Sequence, residues 1–76
     1  MTTPLRLARE RRGFTLKHVA DSVDMDPANL SRVERGEQIP SKETVAALAK
    51  FFGHEVTEMQ IIFPERYALP LSNKSI

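Results

Sequence analysis

The chain is predicted to be an all-α domain. Polar caps, prolines and glycines recur at helix-length intervals, the apolar residues between them repeat at helical spacing, and no segment alternates in the manner of a strand. With 76 residues, 41% hydrophobic and 28% charged, the chain has material for one modest core and not for two. Without cysteine there are no disulfides and no thiolate metal sites, so helix packing alone must hold the fold. No stretch resembles a signal peptide or a membrane span, and a cytoplasmic setting is expected.

Five short helices follow in order. Thr3 can cap the first, with Pro4 in the opening position, where its missing N–H costs nothing, and Gly13 stops a helix of roughly 4–12. Thr15 can cap the second, Leu16 to Val23, whose Leu16, Val19, Ala20 and Val23 share a face before Asp24-Met25-Asp26 breaks it. Asp26-Pro27 repeats the start signal for a third helix with a narrow seam at Leu30 and Val33, ending before Gly36. Glu37 to Pro40 reads as a loop. Ser41 caps a fourth helix with Glu43 in its first turn, a buried stripe of Val45, Leu48, Ala49 and Phe52, and Gly53 as its end. Thr57 caps a brief fifth helix carrying Met59, Ile62 and Phe63 until Pro64 interrupts it. Residues 1–67 form the expected domain. Residues 68–76, with Pro70 and Ser72-Asn73-Lys74-Ser75, read as a tail, either frayed or a docking arm.

The net charge of +1 says little about partners, but its distribution is uneven. Arg6, Arg9, Arg11, Arg12 and Lys17 crowd the N-terminal end against Glu10 alone, whereas acidic residues prevail after Glu43. Such a cluster is either a solvated helix face or an edge that meets phosphate, and charge alone leaves both open.

The stretch Thr15 to Gly36 is the informative one. Two short helices joined by three residues can brace one helix against a DNA backbone while the other enters the major groove. Ala20 is small enough for a close helix crossing, Met25 plugs the turn, and Leu30 with Val33 anchors the second helix, which leaves Ala28, Asn29 and Arg32 outward. Asn can pair with adenine and Arg with guanine in two-pronged fashion, and a small Ala can meet a thymine methyl.

In this register the sequence resembles the phage repressor and Cro-like helix-turn-helix proteins, also called the xenobiotic-response-element family. The likeness covers roughly residues 5–63 and is most specific at Leu30-Ser31-Arg32-Val33-Glu34-Arg35-Gly36, followed by Pro40-Ser41 and Leu48-Ala49-Lys50 ahead of Gly53, with Arg9 and Gly13 upstream. The resemblance implies a lambda-repressor-like five-helix bundle, double-stranded DNA as partner, a two-fold homodimer and a transcriptional repressor without enzymatic activity or cofactor. It places Ala28, Asn29 and Arg32 at base edges, and Lys17, Pro27, Ser31, Arg35 and Lys42 near the DNA backbone, although Lys42 also reads as a plain surface charge on helix four. Arg9 and Glu34 match a pair that joins helix one to the end of helix three. Such a regulator would be cytoplasmic and nucleoid-associated when bound, and with a chain of this length regulation by a fused sensing domain is not expected.

Two departures qualify the resemblance. Leu16 stands where many members carry a backbone-contacting glutamine, and Pro27 opens the recognition helix where a polar base-reading residue is frequent. They motivate a rival reading, an interaction module for a small protein partner such as an antirepressor or a toxin. Ile61, Ile62, Phe63 and Tyr67, with Leu69 and Leu71, supply more apolar surface than a short last helix can bury; part of it is expected at an interface between two copies, the alternative being that these residues fold back over helices one and four. His18 and Asp21, three apart on helix two, read as a surface pair, and His54 as a helix-end residue. Neither zinc nor hydrolytic chemistry finds its ligand set.

Overall fold

In the computed structural model, which describes residues 2–67, the chain is all-helical. The helices are α1 (Pro4–Arg11), α2 (Leu16–Ser22), α3 (Pro27–Glu34), α4 (Lys42–Phe51), α5 (Glu58–Ile62) and α6 (Pro64–Tyr67). Each of the first five begins at a polar cap. The side chains of Thr3, Thr15, Asp26, Ser41 and Thr57 accept from backbone N–H groups of the first turn, groups that would otherwise lack a partner. At α5 the exchange is reciprocal, since Gln60 reaches back to the Thr57 N–H.

The helix ends are equally regular. In α1, α3 and α4 a left-handed glycine follows the last turn, and the two N–H groups after the cap close back onto carbonyls of that turn, the Schellman arrangement. α2 ends the same way without glycine. Asp24 takes φ +60, its N–H bonds to the Asp21 carbonyl, and Met25 closes onto Ala20 at 2.8 Å. The break expected at Asp24 to Asp26 is thus a formed cap that aims the chain into α3.

One core joins the helices: Leu5 and Ala8 from α1, Val19, Ala20 and Val23 around α2, Leu30 and Val33 from α3, Val45, Leu48 and Phe52 around α4, then Val56 and Ile61. Phe52, Leu30 and Leu48 are wholly buried, each contributing roughly 1.5–3 kcal/mol of burial. α2 packs on α3, and α5 packs on both α1 and α4.

The C-terminal part departs from expectation in two ways. α5 ends at Ile62, before Pro64 as expected, but Pro64 then opens a further helix, α6, because proline is well suited to a first helical position. The bundle therefore has a sixth, one-turn helix. Ile61, expected between two copies, is 3% exposed and packs back into the single chain, where α5 meets α1 and α4, whereas Met59 on the same helix is 48% exposed. The short α5 is phased by Val56 and Ile61 against the core, and that rotation turns Met59 outward. Ile62 and Phe63 are half-buried and Tyr67 is exposed. Leu69, Leu71 and the proposed tail lie outside the described residues.

Candidate nucleic-acid interface

The helical period divides α3 cleanly. Leu30, Val33 and Glu34 are buried on one side, and Ala28, Arg32 and Arg35 stand exposed on the other. Ser31 and Asn29 flank the outer face and are partly covered. Ala20, with no exposed surface, lets α2 cross close to α3, and the half-buried Met25 packs onto the core beneath the turn. Pro27, in the first position of α3, is partly buried.

The outer face is internally bonded. Arg32 donates through Nη1 to Asn29 Oδ1 at 2.8 Å, so the two side chains expected at base edges stand side by side. Arg35 donates to Ser31 Oγ through Nη1 and grips Glu37 with Nε and Nη2 at 3.0 and 3.2 Å. Those contacts hold the Glu37 carboxyl below its ordinary range, first through the hydrogen bond to Arg35, then through the charges of Arg35 and Arg32. On α2, Lys17 pairs with Asp21 one turn on, at 2.8 Å, which raises the lysine's pKa. Asp21 therefore belongs to Lys17 and not to His18. The His18 ring lies 4.7 Å from Phe14 and 6.1 Å from Phe51, centroid to centroid. Lys42 is exposed and has no ion pair among the described residues.

Behind this face α3 is fixed to α1. Arg9 forks onto Glu34, Nε to Oε2 at 2.6 Å and Nη2 to Oε1 at 3.1 Å, and its third nitrogen donates to the Phe14 carbonyl at 2.8 Å. The side chains are 14% and 4% exposed, so the pair is shielded. The hydrogen bond to Glu34 raises the Arg9 pKa against the opposing effect of burial. Thr3 adds an anchor that the sequence reading left out. Besides capping α1, its buried hydroxyl donates to the Glu34 carbonyl at 2.7 Å. Glu34 is thus held at its carboxylate by α1 and at its backbone by the residue preceding α1.

The remaining N-terminal cations are also engaged. Arg6 pairs with Glu10 along α1. Arg11 and Arg12 converge on Glu55, in the connection between α4 and α5, and Arg12 also donates to the Phe52 carbonyl and lies over the Phe52 ring. Arg11 and Arg12 thereby tie the end of α1 to the α4–α5 connection.

The chain matches the helix-turn-helix domain family over residues 3–60. It belongs to that family. The matched span holds α1 to α4 and the beginning of α5, and so includes α2, the Asp24–Asp26 turn and α3. A curated relative, the HTH-type transcriptional regulator DdrOP3 of Deinococcus deserti, is 38% identical over 55 residues, which cover 72% of this chain and 43% of the relative. The helix-turn-helix chain spans less than half the length of that relative. No solved structure matches it. Among the described residues no helix is long and apolar enough to cross a membrane.

Proposed function

We propose that this helix-turn-helix protein binds double-stranded DNA sequence-specifically and regulates transcription, as a Cro/C1-type repressor acting as a homodimer on a roughly palindromic operator. The observation that carries the reading is the outward face of α3. Ala28 and Arg32, with Asn29 on the flank, combine base-reading chemistry with exposure, on a helix locked to the bundle by Leu30, Val33 and Glu34. Ser31, Arg35, Lys17 and Lys42 serve as phosphate contacts in this reading, and Pro27 fixes the helix start. Two copies would set their α3 helices about one DNA turn apart, ~34–36 Å. Repression follows by occlusion, without catalysis or cofactor, in the cytoplasm and on the nucleoid. The relative's description as a transcriptional regulator supports the regulatory role.

Copies would meet through the half-buried Ile62 and Phe63 and the exposed Tyr67 and Met59, since Ile61 is committed to the core. Sedimentation at high micromolar concentration, free and on DNA, tests this, and a strict monomer in both states rejects it.

The test of readout begins with selection of bound sites from randomised DNA. Asn29→Ala and Arg32→Ala should each weaken binding to the selected site by ~1–3 kcal/mol and relax preference at one position, with little change on scrambled DNA. If both bind the selected site as tightly as wild type, the recognition-helix assignment is wrong. The rival, an interaction module for a small protein partner, is favoured by one observation. Leu16 packs against the core and supplies no polar group where related sequences contact phosphate. Heparin or random-DNA retention that does not change with salt would support that rival.

A further inference from the structure

The exposed pair of Arg35 and Glu37 is built more rigidly than a surface ion pair requires. All three guanidinium nitrogens are engaged within the chain, Nε and Nη2 by Glu37 and Nη1 by the Ser31 hydroxyl. Glu37 is also held through its backbone. Gly36 adopts φ +76, a conformation costly for side-chain-bearing residues, and that turn folds the chain back over the end of α3. There the Glu37 N–H closes onto the Arg32 carbonyl at 2.9 Å, and the Gly36 N–H onto that of Val33 at 3.0 Å. The carboxylate accordingly sits by construction within reach of Arg35.

A carboxylate gripped by a guanidinium fork occupies the donors that a phosphate would use, in the same planar two-pronged geometry. While it is there, Arg35 offers DNA little net charge, and the carboxylate repels an approaching phosphate. An exposed pair is nevertheless weak, so a phosphate pressed into place can displace it. We propose that Glu37 gates the Arg35 fork, an internal anion that holds it until α3 is seated in the groove, so that Arg35 contacts phosphate in the close specific complex and not in loose non-specific ones. This rests on the DNA-binding reading above. It adds that phosphate contact at this position is conditional on the close complex.

The salt dependence of binding separates the two complexes. Each phosphate contact contributes about 0.9 to the slope of log affinity against log salt. In wild type the contact from Arg35 counts on the operator only. Glu37→Gln removes the charge and keeps the size, so on scrambled DNA its slope should steepen by about 0.9 and its affinity at low salt should rise severalfold. On the operator the contact exists in both proteins, so the slope should stay the same and affinity should rise at most about fivefold, the worth of one exposed pair. The two duplexes are therefore distinguished by slope. In an Arg35→Ala background the same Glu37→Gln change should leave the scrambled-DNA slope unaltered, which assigns the effect to Arg35.

The experiment is a fluorescence-anisotropy titration of wild type, E37Q, R35A and R35A/E37Q at several salt concentrations. The probes are the duplex that wild type selects from randomised DNA and a scrambled duplex of the same length, and circular dichroism confirms that every variant is folded. A steeper E37Q slope confined to scrambled DNA and abolished by R35A supports the gate. Unchanged slopes on both duplexes, equal steepening on both, or steepening that survives R35A overturns it while leaving DNA binding intact. Failure of wild type to bind either duplex removes the DNA-binding reading itself, and the gate with it.

Discussion

The molecule contains the same arginine-glutamate fork twice, and the two copies behave differently. Arg9 and Glu34, 25 residues apart, meet between α1 and the end of α3 with side chains 14% and 4% exposed. Arg35 and Glu37, two residues apart, meet on the outer face of α3 at 46% and 57%. Water shields the second pair and not the first, so identical chemistry yields a structural tie in one place and an exchangeable contact in the other. Burial, and not the pairing itself, decides whether a charge pair holds the fold together.

That contrast sets the largest expected effect. Arg9→Ala or Glu34→Ala leaves its partner buried without compensation and should cost about 3 kcal/mol of folding stability. Urea denaturation of the two single variants and the double variant closes the cycle, and the double should lose much less than the sum of the singles. If the losses add, Arg9 and Glu34 do not act as a pair, and the contrast with Arg35 and Glu37 disappears.

Thr3 sharpens the same comparison, because it holds Glu34 by a neutral hydrogen bond where Arg9 holds it by charge. Thr3→Val keeps the shape but removes the oxygen that caps α1 and donates to the Glu34 carbonyl, which is then left without that donor in a buried place. The expected loss is about 2 kcal/mol, the sum of one cap and one buried hydrogen bond. A Thr3→Ser variant, which retains the hydroxyl, should lose far less, and equal losses for Val and Ser would mean that packing of the methyl group dominates.

How much of this was legible in the sequence follows from the range of each signal. The caps at Thr3, Thr15, Asp26, Ser41 and Thr57 are local, and each one opens a helix in the structure. The buried sides of α3 and α4 follow from helical periodicity, which long enough helices display. α5 has five residues, too few for the period to fix a phase, and Ile61 was accordingly placed outside while it packs inside. Pro64 carried an ambiguous signal, since proline both ends one helix and starts the next. The second role of Thr3 and the convergence of Arg11 and Arg12 on Glu55 join positions 31 to 44 residues apart, and composition holds no trace of them. Glu37 was missed for another reason: in a loop, only the left-handed turn at Gly36 reveals that it faces back toward Arg35.

Glu55 tests an intermediate case, distant in sequence like Arg9 and Glu34 but open to solvent like Arg35 and Glu37. Its carboxyl is held below the ordinary value of 4.5, first by hydrogen bonds from Arg11 and Arg12 and then by their charges. A folded-state value below the unfolded one means that the stabilisation is fully present above the unfolded value and is lost as the pH falls through the lower folded value. Glu55→Gln should therefore melt below wild type at pH 7, and the two melting curves should converge at pH values beneath the ordinary glutamate range. A difference that persists unchanged into acid would show that Glu55 acts through packing, not charge.

The smallest expected effect concerns the cap that the sequence disguised. Three helices end on a left-handed glycine, and α2 makes the same closure with Asp24 at φ +60. Aspartate tolerates this conformation better than most residues but still bears part of the steric cost that glycine avoids, whereas glycine gives up more chain entropy on folding. The balance predicts that Asp24→Gly stabilises the domain by about 0.5 kcal/mol, and that Asp24→Ala, which has the Cβ and lacks the carboxylate, destabilises it by about the same amount. Urea midpoints for the two variants check both signs. The turn also sets the angle between α2 and α3, and Asp24→Gly can make the same two backbone hydrogen bonds, so its DNA affinity should match wild type while its stability rises. On the proposed DNA-binding function, loss of DNA affinity in a stabilised Asp24→Gly protein would show that the Asp24 side chain, and not only its backbone, positions α3.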